Sequence, residues 1–129
     1  MQVGDKVEDF ELPDETGTKR KLSEFLRDGP VVLFFYPAAM TYGCTKESCH
    51  FRDMGEAFTL AGAQRVGISS DPVEKQKQFS DKHSFDYPLL ADADGKIAHL
   101  LQSHHRIAVF DKPLHVGQLG GSVLLRHVA

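Results

Sequence analysis

Val31-Val32-Leu33-Phe34-Phe35-Tyr36-Pro37-Ala38-Ala39-Met40-Thr41-Tyr42-Gly43-Cys44-Thr45-Lys46-Glu47-Ser48-Cys49 is the stretch on which the fold turns. Its first six residues are apolar or aromatic throughout. They are too few for a helix, and β-branched or aromatic at all but one position, which is how a strand buried on both faces reads. Pro37 ends that strand. From Thr41 to about Leu60 the pattern predicts a helix. Cys44, Ser48, Phe51 and Phe58 recur near helical spacing among Lys46, Glu47, Arg52, Asp53 and Glu56, and Gly62 stands where a helix would stop. A buried strand handing over to a helix places the loop between them at the carboxyl edge of a sheet, where open α/β sheets bind ligands.

The neighbouring segments extend the same alternation. Arg65-Val66-Gly67-Ile68-Ser69 predicts a second buried strand. Asp71-Pro72 opens a helix running to about His83, with Asp71 as cap and Pro72 at the first helical position. Tyr87-Pro88-Leu89-Leu90-Ala91 is a further extended segment, and Asp94-Gly95 a turn. Towards the N-terminus, Phe10-Glu11-Leu12 and Lys19-Arg20-Lys21-Leu22 flank turn chemistry at Pro13 to Gly17 and predict a hairpin. Ser23 can cap a short helix over Glu24 to Arg27, stopped by Gly29-Pro30. Strands alternating with helices imply an α/β sheet with crossover connections. Arg106 to Asp111 can add one more strand, followed by a glycine-rich stretch and a short apolar run, Val123-Leu124-Leu125.

The bulk numbers are compatible with one domain. The chain has 129 residues, 41% hydrophobic and 26% charged, enough for a core without metal or disulfide staples. A net charge of −3 does not suggest a nucleic-acid or membrane partner. The opening Met1-Gln2-Val3-Gly4-Asp5-Lys6 lacks the apolar run of a signal peptide, and no stretch approaches the ~18 apolar residues of a membrane span. These features lead to an expectation of cytoplasmic location, where a pair of cysteines is chemical more often than structural.

Cys44 falls in the first turn of the predicted helix. Free backbone N–H groups and the positive end of the helix dipole stabilise an anion there. Thiols so placed titrate at roughly 3.5–7.5 instead of about 8.5. Thr41, three residues earlier, can bring its hydroxyl beside the sulfur, Pro37 can shield one side of the pocket, and Gly43 lets the backbone turn just before the nucleophile. Plainer readings exist for each position. A buried cysteine can be a small hydrophobe, Cys49 helix packing, Thr41 a plain helix cap and Glu47 a solvated helix residue. Cys44, Cys49 and His50 do not have the spacing of the usual zinc sites, so no metal is expected, and the histidines from His99 onward have no ligand-like spacing.

Pro37, Thr41 and Cys44 fit Pro-x-x-x-Thr-x-x-Cys, and with Cys49 five residues on, the segment resembles the Q-type, or bacterioferritin-comigratory, branch of the peroxiredoxins. The likeness continues through His50-Phe51-Arg52-Asp53, the opening Val3 to Asp14, the strand Val66 to Ser69 and Phe85 to Leu90, about residues 3–98. It implies a thioredoxin-like fold with an N-terminal β-hairpin, as a single domain over residues 1–129. It also implies a peroxidase for hydrogen peroxide and organic hydroperoxides. Cys44 thiolate would attack the peroxide and become a sulfenic acid, with Thr41 donating a hydrogen bond to the thiolate or to a peroxide oxygen. Cys49 would then condense with it to a disulfide, which thioredoxin or a similar dithiol reduces. Glu47 would help orient the active-site arginine. No cofactor is implied, and the expected state is a monomer or weak homodimer.

Two departures stand out. Tyr42 takes a place where this branch often has proline. Residues 99–129 diverge: the family's second catalytic arginine has its nearest counterpart in Arg106, one residue closer to Asp111 than the pattern wants, and a one-residue slip on a strand reverses the face. The hairpin and closing helix that should follow are not recognisable. These departures support an alternative, a catalytically weak peroxiredoxin-like redox sensor or binding module.

Overall fold

The computed structural model describes residues 9–97, 107–111, 115–116, 118–119 and 122–123. A hairpin of β1 (Glu11–Pro13) and β2 (Lys19–Lys21) leads into α1 (Leu22–Leu26). Then follow β3 (Val31–Phe35), α2 (Tyr42–Asp53), α3 (Gly55–Ala61), β4 (Gln64–Ser69), α4 (Val73–His83) and β5 (Leu89–Ala91). The described part of the tail contributes β6 (Ile107–Asp111), β7 (His115–Val116), β8 (Gln118–Leu119) and β9 (Ser122–Val123).

The main sheet has the order β5-β4-β3-β6-β7. β3 pairs parallel with β4, Val31 opposite Gln64 and Phe35 opposite Ile68, and antiparallel with β6, Phe34 opposite Ile107. β3 is therefore central, which is why it is apolar on both faces. Val31, Leu33 and Phe35 face one way and pack with Leu22, Phe25, Leu26, Val66, Ile68, Leu90 and Phe110. Val32, Phe34 and Tyr36 face the other way, against Phe51, Phe79, Tyr87 and Leu89. The second layer is aromatic: Phe51 of α2 stacks on Phe34 with centroids 4.3 Å apart and planes 6° from parallel. That stack seats α2 on the sheet.

The structure departs from sequence expectation at several helix ends. The helix expected over Thr41 to about Leu60 is two helices, parted at Met54. The cause is Arg65, whose Nη1 donates to the carbonyls of Phe51 (2.8 Å) and Arg52 (3.3 Å). Those carbonyls would otherwise accept from the amides of Gly55 and Glu56, so the guanidinium diverts the ladder and the helix restarts. Gly55 fits because a Cβ there would lie 3.1 Å from Asp86 Oδ2 and 3.2 Å from Arg65 Nη2. Gly62 does end α3, in the left-handed conformation at φ 71°.

Neither expected side-chain cap forms. Ser23 sits inside α1, where its amide and hydroxyl donate to the Asp9 carboxylate at 2.9 and 2.7 Å. Pro72, not Asp71, is the residue flanking α4, and the Asp71 carboxylate is turned to the loop after β3. The hairpin not recognised after β6 is present, with Phe110 opposite Val116 and Asp111 opposite His115.

Candidate active site

The site is built where β3 ends and α2 begins. Pro37 is exposed and Ala39 buried, with 1% exposure. Met40 lies between them and the helix at φ 69°, a left-handed conformation that costs a non-glycine residue roughly 1 kcal/mol or more. What holds this turn is Asp71. Its Oδ2 accepts from the Ala39 amide at 2.6 Å and from the Ser69 hydroxyl at 2.7 Å. Lys75 Nζ lies 3.5 Å from its other oxygen. The Ser69 hydroxyl in turn accepts from Gln76 Nε2 at 3.0 Å, and Gln76 Nε2 also donates to the Leu90 carbonyl at 2.8 Å. Tyr36 donates its hydroxyl to Gln76 Oε1. One buried network thus ties the loop after β3 to β4, α4 and β5.

Thr41 flanks α2 with extended backbone, φ −84° and ψ 156°, and makes no side-chain cap. Its Oγ1 donates instead to the Ala38 carbonyl at 2.9 Å. A threonine has one hydroxyl proton, so serving a bound oxygen requires that proton to leave Ala38. The main-chain bond from Thr45 N to Thr41 O, 2.9 Å, closes the first turn and places Cys44 within it. Gly43 is exposed, its φ is not left-handed, and a Cβ there would meet nothing within 4 Å. The expectation that glycine is needed there for a close turn is therefore corrected; its effect is to weaken the first turn of α2.

Cys49 follows on the same helix as a half-buried free thiol, and Glu47 is half-buried too. Ser48 between them is fully buried, and its hydroxyl has no hydrogen-bond partner among the described residues. Arg52 Nη1 donates to the His83 carbonyl at 2.7 Å and its Nε to Asp53 at 3.0 Å. The Asp53 hydrogen bond, and the field of Cys49, push the guanidinium pKa further up. Arg106 lies outside the described residues.

Beside the start of α2 an open groove of about 570 Å³ is lined by Met40, Tyr42, Thr45, Lys46, Lys82 and His83. Burial, then the neighbouring Lys82 and Arg52, push the His83 imidazole below its ordinary value, so the cations of the groove at neutral pH are the two lysines. Tyr42 reaches into solvent at 86% exposure. Among the described residues no three His, Cys, Asp or Glu converge as metal ligands, and no helix is long and apolar enough to cross a membrane.

Sequence reasoning singled out Pro37, Thr41, Cys44, Glu47 and Cys49, which lie in order along the loop after β3 and the first half of α2. It missed Asp71 as the anchor of the loop, reading it as a helix cap, and it missed Arg65 and Tyr87. A charged residue opening a buried strand, as Arg65 does, was the available signal.

The sequence profile of the AhpC/TSA family matches residues 3–113. The chain belongs to the AhpC/TSA family. A putative peroxiredoxin of Mycobacterium tuberculosis is 65% identical over 98 residues, covering 76% of this chain and 64% of that protein. Peroxiredoxin Bcp of Bacillus subtilis is 41% identical over 98 residues, covering 76% and 62%. The chain thus spans less than two thirds of the length of these curated relatives. Among solved structures, peroxidoxin BcpB from Mycobacterium tuberculosis superposes with a TM-score of 0.85 at 53% identity, covering 90% of this chain and 82% of that one. A cysteine mutant of Xanthomonas campestris peroxiredoxin Q gives 0.77 at 26% identity, covering 84% and 78%. Family members of the Bcp and Q type therefore share this thioredoxin-like fold, and the resemblance found around Cys44 and Cys49 is to the same branch.

Proposed function

We propose that the chain is a thiol-dependent peroxidase for hydrogen peroxide and organic hydroperoxides. The observation that carries the reading is the position of Cys44 in the first turn of α2, an uncapped helix start at the carboxyl edge of β3, in a chain of the AhpC/TSA family. The N-terminal amides there favour a thiolate. The thiolate sulfur attacks one peroxide oxygen and the O–O bond breaks. The sulfur becomes a sulfenic acid, and the other oxygen leaves with a proton as water or alcohol. Cys49 thiol then displaces hydroxide from that sulfur, giving a Cys44–Cys49 disulfide and water. A thioredoxin-type dithiol returns both thiols by exchange and is itself oxidised. Thr41 serves as hydrogen-bond donor, Pro37 as pocket wall and Glu47 as a positioning residue. A monomer or weak homodimer suffices, and a reducing compartment such as the cytoplasm would keep both thiols free.

The test is peroxide consumption coupled to thioredoxin and its reductase. Cys44→Ser should abolish turnover, while Cys49→Ser should still consume one peroxide per chain. Turnover surviving Cys44→Ser would refute the reading. Arg106 is the proposed second cation, and Arg106→Ala should slow the first oxidation roughly a hundredfold, the loss expected of an oxyanion donor. Arg52→Ala should act less, since its guanidinium is engaged by His83 and Asp53. An unchanged rate in the double variant would show that neither arginine acts.

A further inference from the structure

α2 is anchored unevenly along its length. Tyr42, Gly43 and Lys46 are exposed, no side chain caps the helix, and its first turn contains no acidic residue. From Ser48 onward the anchoring is dense. The Tyr87 hydroxyl donates to the Ser48 carbonyl at 2.7 Å, inside the core. Phe51 stacks on Phe34, Arg65 holds the Phe51 and Arg52 carbonyls, and Arg52 holds the His83 carbonyl. The Arg65 guanidinium is itself fixed, paired with both oxygens of Asp86 at 2.9 and 3.0 Å, and its centre lies 5.2 Å from the Tyr87 ring.

We infer that Tyr87 is a positioning residue of the resolving step: it holds the Ser48–Cys49 peptide, so that α2 unwinds only as far as Ser48 and Cys44 travels to a stationary Cys49. This deepens the proposed function and rests on it. The Ser48 carbonyl belongs to the peptide unit that carries the Cys49 amide, so the phenol grips the backbone of the resolving residue directly. Burial pushes the Tyr87 phenol well above its ordinary value, so it stays a donor at every pH at which the protein works. The Ser48 hydroxyl, buried and without a partner among the described residues, acts in the opposite direction, since unwinding past Ser48 would give it water. Tyr87 therefore sits at the turn of α2 where its exposed, uncapped start gives way to the anchored remainder. Five residues of freed chain reach roughly 16–18 Å, ample for Cys44 to approach Cys49 without moving it.

The test is residue-resolved amide exchange on the full chain, reduced and disulfide-bonded, the latter prepared with oxidised glutathione so that it does not depend on peroxidase activity. Oxidation should strip protection from the amides of Thr45 to Ser48 and leave those of Arg52 to Met54, whose acceptors begin at the Ser48 carbonyl, protected. Tyr87→Phe should lower protection at Arg52 to Met54 and, because Cys49 is then no longer held in place, slow disulfide formation, each by roughly two- to tenfold, the range for one hydrogen bond. The same variant should also be more easily overoxidised to sulfinic acid, because its sulfenic acid waits longer for Cys49. Protection lost equally along the whole of α2 on oxidation would overturn the inference. So would a Tyr87→Phe variant with unchanged protection and disulfide rate. If that variant does not fold, the wild-type exchange pattern decides alone. Absent peroxide turnover with the stepped exchange pattern intact would instead count against the peroxidase reading.

Discussion

Gly43→Ala should slow the resolving step, and the size of the effect follows from helix geometry. An α-helix rises ~1.5 Å and turns ~100° per residue at a Cα radius of ~2.3 Å, so residues five apart have Cα atoms ~8.7 Å apart. A disulfide needs roughly 4.4–6.8 Å. Cys44 and Cys49 both lie within α2, which runs unbroken from Tyr42 to Asp53, so they cannot bond until its first turns open. Gly43 sits in the part that must open. An alanine there meets no atom within 4 Å and no left-handed φ, so it adds helix propensity without strain. Glycine in a helix costs about 0.5–1 kcal/mol relative to alanine. The same amount, added to the folded side of the opening equilibrium, reduces the unwound population by roughly two- to fivefold. Stopped-flow following of disulfide formation after one equivalent of peroxide should show that slowing. Sulfinic acid, measured by mass at higher peroxide, should rise in proportion, because a second peroxide then competes longer for the sulfenic acid. The first oxidation, measured in a Cys49→Ser background, serves as control. A Gly43→Ala protein with a demonstrably more protected helix and an unchanged or faster resolving rate would refute the reasoning.

Asp71→Ala should cost about 1–3 kcal/mol in urea unfolding, because the buried Ala39 amide loses its acceptor, and should slow Cys44 oxidation by releasing the left-handed turn at Met40; Asp71→Asn, which keeps an acceptor oxygen, should recover most of both. Acid stability should report Asp14, whose carboxylate is buried in the hairpin. Burial by itself would raise its pKa, but hydrogen bonds from Thr16, Arg20 and Thr18 outweigh it and hold the group below its ordinary value. A depressed pKa stabilises the fold fully above the ordinary aspartate value of 3.8 and less and less as pH falls through the lower folded value. Melting temperature followed from pH 5 downward should therefore drop more steeply in the wild type than in Asp14→Asn; parallel curves would show that Asp14 contributes nothing.

Much of this protein was legible from local pattern alone. The apolar run Val31 to Phe35 could only be a central strand, and the alternation of its side chains between two faces follows from the pleat. Pro37 ending a strand, Gly62 ending a helix and the hairpin turn after Leu12 are properties of one or two residues and their allowed dihedrals. The position of Cys44 in a helix start, and the five-residue spacing to Cys49, are read directly along the chain. So is the conclusion that the two thiols cannot meet in an intact helix.

What the tertiary structure alone decided are the points where a backbone group takes its partner from far along the chain. The break at Met54 is imposed by Arg65, the Ser48 carbonyl is held by Tyr87, the Ala39 amide by Asp71 and the Ser23 amide by Asp9. In three of these four cases a local rule had nominated a different outcome: a longer helix, a cap from Asp71, a cap from Ser23. Those rules count only partners a few residues away. A buried carbonyl or amide is satisfied by whichever donor or acceptor the fold delivers to it, and a charged one wins over a helical neighbour because its hydrogen bond is about twice as strong. Which residue that is depends on how β4 lies beside β3 and how the loops after them meet, and no window of sequence around Cys44 contains that information.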